Sequence, residues 1–103
     1  MAFLGLVDTR EIDEFASALA EDLGRRYPPS SESRTDPGAK HQLEVVTEGL
    51  TARALRFHKE RRLGVYKKAK LANVFRWKLA ELGYSKPFVD QVTKSLAKRL
   101  GAN

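Results

Sequence analysis

The chain contains no cysteine, one tryptophan and one methionine in 103 residues. Without cysteine it can form neither a disulfide nor a thiolate metal site, which fits a reducing compartment. Its two histidines, His41 and His58, stand far apart, and no HExxH run is present, so the three or four matched ligands of a metal site are missing. The glycines are scattered at expected helix ends, and none sits in a phosphate-cradling loop. No nucleophile stands beside a base, as covalent chemistry would require. The expectation is a protein that is not an enzyme and has no cofactor or metal.

Long apolar runs are also missing. None approaches the roughly 20 residues needed to span a bilayer. The run Met1 to Val7 is too short for a signal-peptide core, with no basic residue before it and no small-residue cleavage site after it. The length suits one domain, residues 1–103, with a single modest core. A cytoplasmic protein without membrane insertion is the simplest expectation.

Acidic residues are scarce in the second half. Residues 1–50 hold five Lys or Arg against ten Asp or Glu, a balance of −5, while residues 51–103 hold fourteen against three, a balance of +11. The net charge of +6 therefore hides a division. Such asymmetry points to an anionic partner for the basic half. Two other outcomes meet the same need: the acidic half folds back on the basic half, or two copies meet head to tail.

The periodicity predicts an all-α fold, a small four-helix bundle with helices at about 9–27, 40–63, 65–82 and 86–100. In the first, Ile12, Phe15, Ala16, Leu19, Leu23 and Tyr27 form one apolar stripe. Asp8 and Glu11 are spaced as a capping box, and Val7 and Ile12 as a hydrophobic staple. Pro28-Pro29 stops the helix. Residues 28–39, PPSSESRTDPGA, lack apolar periodicity and are expected to form a mobile linker. In the second helix Leu43, Val46, Leu50, Ala54 and Phe57 step by three and four. Arg61 falls on the same seam, which either ends at Phe57 or carries Arg61 along the core surface with its head in water.

Gly64 allows two readings. The apolar phase runs through it, as in one kinked helix, whereas ordinary helix lengths favour a break there. The break is the reading adopted. The third helix has an inner stripe through Val65, Ala69, Ala72, Phe75, Leu79 and Leu82, with Leu71 at its edge. Its opposite side, with Tyr66, Asn73 and Trp77, is either packed against a second neighbour or an exposed aromatic face. Gly83 ends this helix, Ser85 caps the fourth with Pro87 in its first turn, and Phe88, Val89, Val92, Leu96 and Leu100 give its core face.

The phrase Leu79-Ala-Glu-Leu-Gly-Tyr-Ser85 and the amphipathic helix after it resemble the helix-turn-helix rhythm of ubiquitin-associated-type three-helix modules. A similar rhythm occurs in C-terminal domains of some recombination proteins. The resemblance covers residues 79–100 and implies a helical binding module.

The most distinctive stretch is Arg53 to Lys78, with ten basic side chains, one acid (Glu60) and the aromatics Phe57, Tyr66, Phe75 and Trp77 threaded through it. Polyanion binders present several Lys and Arg together, because each phosphate contact releases counterions, and aromatics stack on unpaired bases. Arg56, Lys59, Arg62, Lys67, Lys70 and Lys78 are the candidate phosphate contacts, with Tyr66 and Trp77 as stacking or inserting groups. On this reading the partner is nucleic acid, DNA or RNA. The rival partner is an acidic protein, or a second copy in a homodimer, meeting complementary surfaces on the acidic first helix and the basic second and third. The acid pairs Asp13-Glu14 and Glu21-Asp22 read as solvated helix surface, and His58 as a surface residue.

Overall fold

The computed structural model describes residues 9–101. Among these, four α-helices form the bundle: α1 (Thr9–Arg26), α2 (Pro37–Arg61), α3 (Val65–Leu82) and α4 (Lys86–Gly101). The all-α four-helix expectation holds. The proposed Asp8 cap and Val7 staple lie outside the described residues.

α3 is the central element. It packs along α1 on one side and α4 on the other, while α2 packs against α4 and, more lightly, α1. α2 and α3, although consecutive, therefore stand at opposite corners. Ion pairs Asp13–Lys70 and Glu21–Lys78 join α1 and α3 at one constant offset, so these two helices run parallel. The core fills with Ile12, Leu19 and Leu23 of α1, Leu50 and Phe57 of α2, Leu71, Phe75 and Leu79 of α3, and Val89, Leu96 and Leu100 of α4. Phe75 is 1% exposed, at the meeting of these helices. Gly24 permits a close approach of α1 and α3, since a β-carbon there would stand 3.3 Å from Leu82 Cδ1. Phe15 lies flat on Phe57, with ring centroids 4.0 Å apart, and the Arg61 guanidinium sits 5.2 Å above the Phe57 centroid. Arg61 thus continues the α2 seam with its stem on the core and its head paired to Glu11 at 2.6 Å.

The break between α2 and α3 is present, but the glycine does not take the strained conformation. Arg62 carries φ 54°, in the left-handed region, whereas Gly64 is extended at the start of α3. The Leu63 N–H donates back to the His58 carbonyl, and the Leu63 side chain is 4% exposed. Burying Leu63 is the reward that turns the chain, as in a Schellman ending with its apolar contact. The α3 ending repeats the pattern with glycine: Gly83 has φ 105°, Tyr84 N–H donates to the Leu79 carbonyl, and Tyr84 is buried.

The 28–39 segment, expected as a mobile linker, is instead a docked connection. Pro29–Ser33 form a turn of 3-10 helix. The Tyr27 hydroxyl donates to Ser31 O (3.2 Å) and the Tyr84 hydroxyl to Tyr27 O, while Phe88 stacks on both tyrosine rings. Glu32 accepts from the Ser85 backbone N–H at 2.8 Å and from its hydroxyl, and Ser85 Oγ in turn accepts from Phe88 N–H at 3.4 Å. This is a capping box in which the acid comes from a distant turn, because the usual third helical position holds Phe88. α2 also starts earlier than the apolar seam suggested. Asp36 caps it by accepting from Ala39 N–H at 3.0 Å, and Pro37 opens the first turn.

Candidate functional site

The basic segment divides between two fates. Its members that face α1 are matched by carboxylates. Lys70 lies 3.6 Å from Asp13, and Lys78 lies 3.5 Å from Glu21 and 3.8 Å from Glu81. Arg61 reaches Glu11, and Arg53 reaches Asp22 at 3.1 Å. Asp22, only 9% exposed, also gathers Arg25 and Arg26. The α1 acids are therefore not merely solvated surface: Asp13, Glu21 and Asp22 fold onto the basic half, one of the three outcomes that the charge division allowed. Each exposed pair contributes little stability, but together they lower the positive potential along that flank.

Arg56, Lys59 and Arg62 are exposed and have no ion pair among the described residues. Arg56 and Lys59 lie on the outward side of α2, and Arg62 at its left-handed end. The six candidate phosphate contacts do not form one strip along α2 and α3, because these helices occupy opposite corners. Of the eight candidate residues, Lys70 and Lys78 sit in the α1–α3 seam, Arg56, Lys59 and Arg62 on and at the end of α2, and Tyr66 and Trp77 on the outward side of α3. Lys67, half-buried at the start of α3, engages other groups of the chain.

The inner stripe expected for α3 is shifted: Val65, Ala69 and Leu82 are exposed, whereas Leu71, expected at its edge, is fully buried, because α1 and α4 both pack on α3 and leave its ends and outer side uncovered. That outward side is the least expected surface. Tyr66 is 73% exposed and Trp77 66%. They stand three helical turns apart on one face, about 16 Å along the axis. Between and beyond them come Ala69, Asn73 and Ala80, and across a shallow groove α4 presents Thr93 and Ala97. Thr93 Oγ1 is buried with no hydrogen-bond partner. Asp90 takes both Arg76 (3.0 Å) and Lys86 (2.9 Å) at the groove's edge. The Lys86 hydrogen bond, with the charges of Lys86 and Arg76, holds the Asp90 carboxyl below its ordinary pKa. Two cations share this one acid, and Lys94 one turn on has no partner among the described residues, so the groove margin keeps excess positive charge.

His58, read as a surface residue, is 8% exposed with an unpartnered Nδ1. Among the described residues no group of three or more His, Asp or Glu lies together as a metal site would require. No helix among them is long and apolar enough to cross a membrane. Comparison with protein-family models, with curated proteins and with solved structures finds no match.

Proposed function

We propose that the protein is a non-catalytic docking module whose binding face is the outward side of α3 with the adjoining wall of α4, and that its partner presents an amphipathic, acidic helix. The observation that carries this reading is the pair Tyr66 and Trp77, exposed on one face with small residues between them. Tryptophan and tyrosine are the side chains most often found at binding hot spots, and an exposed large apolar face is more informative than an exposed charge. Ala69, Ala80 and Ala97 leave space beside the rings for a helix backbone or its side chains. Acidic flanks on the partner suit the excess charge at Arg76, Lys86 and Lys94 and the overall charge of +6. That same charge disfavours a second copy as the partner.

The nucleic-acid reading retains a specific observation, the unpaired Arg56, Lys59 and Arg62. It is the weaker of the two. The aromatic rings lie on the opposite corner from Arg56 and Lys59, and α1, packed along α3, presents the carboxylates Asp13 and Glu21, about half exposed. Three phosphate contacts would give a log–log salt slope of only about −2.7 on duplex DNA.

A photo-reactive amino acid at position 73, between the rings, tests the reading in the cell of origin. The expected adduct is a protein whose crosslinked segment is helical and net acidic, and it disappears in Tyr66→Ala and Trp77→Ala. An adduct that is nucleic acid, or one that survives both substitutions, overturns the proposal.

A further inference from the structure

A second concave feature lies away from the aromatic face. α2 and α4 stand apart enough to leave a crevice of about 400 Å³, within the range of small-molecule sites. Its walls are the half-buried Leu43 of α2 and Phe88 and Val92 of α4, and Phe75, the most buried aromatic of the core, is reached at its floor. Thr47 and Thr51 of α2 both line it, one helical turn apart. Thr47 turns its hydroxyl back onto the Leu43 carbonyl at 2.8 Å. Thr51 is 8% exposed and its hydroxyl has no hydrogen-bond partner among the described residues. That hydroxyl is not sealed in the core; it stays open to the crevice, where its donor and acceptor are available to a ligand. The charges at the mouth balance, Glu44 and Glu48 on one wall and Lys98 and Arg99 on the other, with Arg99 and Glu48 3.7 Å apart across it.

We infer that this crevice is a binding site for a small neutral aromatic molecule carrying one hydroxyl, with the ring between Phe88 and Phe75 and the hydroxyl paired to Thr51. The apolar walls select against a charged body. The balanced mouth gives neither anion nor cation an advantage. The floor is apolar, with Leu50, Phe75 and Leu96, and the polar side chains Gln91 and Ser95 stay at the exposed rim, so the buried Thr51 is the polar group that sets the orientation. This inference does not depend on the docking face of α3, since the two surfaces share no exposed residue.

The experiment is calorimetric titration of the intact protein with 2-naphthol, naphthalene and 2-naphthoate. Saturable one-to-one binding of 2-naphthol is expected, with 2-naphthoate weaker by at least tenfold. Thr51→Val should weaken 2-naphthol about five- to tenfold and leave naphthalene unchanged, the signature of one lost hydrogen bond. Ser95→Trp, a substitution at an exposed position on the mouth, should abolish binding of both while leaving the helical circular dichroism intact. Three results overturn the inference: no saturable 2-naphthol binding, binding undisturbed by Ser95→Trp, or equal effects of Thr51→Val on 2-naphthol and naphthalene.

Discussion

The two flanks of α3 that flare from its buried stripe have opposite characters. Toward α1, Lys70 and Lys78 meet Asp13 and Glu21, and the seam is closed electrostatically as well as by packing. Away from the core, Tyr66 and Trp77 stand more than 60% exposed with no covering element among the described residues. The lesson is that a cluster of basic residues is not a surface until its neighbours are known. Of the ten basic side chains in residues 53–78, Arg53, Arg61, Lys70, Arg76 and Lys78 pair with carboxylates. Tyr66 and Trp77 remain outside, as do Arg56, Lys59 and Arg62, unpaired among the described residues.

The largest expected contrast lies within α3 itself. Leu79 is 0% exposed, and Leu79→Ala should cost about 2–5 kcal/mol in denaturant unfolding, as large-to-small core changes do. Trp77→Ala, two residues earlier, should change stability by no more than about 0.5 kcal/mol. A large loss from Trp77→Ala would show that the outward face is covered.

Next in size is the cap that joins the 3-10 turn to α4. Glu32→Ala removes the acceptor of two Ser85 donors and should cost about 1–2 kcal/mol, whereas Glu44→Ala, exposed and without a partner among the described residues, should be neutral. Equal effects would mean that the turn does not hold α4.

The Tyr84 phenol belongs to the same joint. Burial, with Glu32 and Tyr27 nearby, pushes its pKa up to about 12. A folded pKa raised above the unfolded value of about 10 means a contribution fully present below pH 10 and lost as pH rises through about 12. Thermal melts from pH 9 to 12 should show a steeper alkaline decline for the parent protein than for Tyr84→Phe.

How much of this was legible beforehand follows the range of the signal. α3 and α4 begin and end at local punctuation, Gly64, Gly83, Ser85 and Pro87, and their spans match the expectation to within a residue. The apolar periodicity starts α2 only near Lys40, because Pro37 and Gly38 read as linker. The Asp36-Pro37 pair was the available signal for its true start. Glu32 capping Ser85 and Asp13 meeting Lys70 join positions more than fifty residues apart, and no periodicity encodes which helix lies beside which. For the same reason a helical wheel placed Tyr66 and Trp77 on one face but could not say whether a neighbour covered it. It also could not show that α2 and α3 would take opposite corners and separate Arg56 from Trp77.

Smaller effects sharpen the electrostatic half of the comparison. The double variant Asp13→Asn, Glu21→Gln should lose no more than about 1 kcal/mol of stability and should bind a heparin column more tightly, because Lys70 and Lys78 are released. Unchanged retention would mean that these lysines were never masked. Smallest of all, Arg62→Gly relieves a left-handed non-glycine residue and should be neutral or stabilising by about 0.5 kcal/mol, measured by urea unfolding.

The most direct test of an uncovered aromatic face on α3 is acrylamide quenching of Trp77, the single tryptophan, in the isolated protein. Long-wavelength emission is expected, with a quenching constant close to that of the urea-unfolded chain. Blue-shifted emission protected from acrylamide would place Trp77 under another element or another copy, and the docking face would be gone.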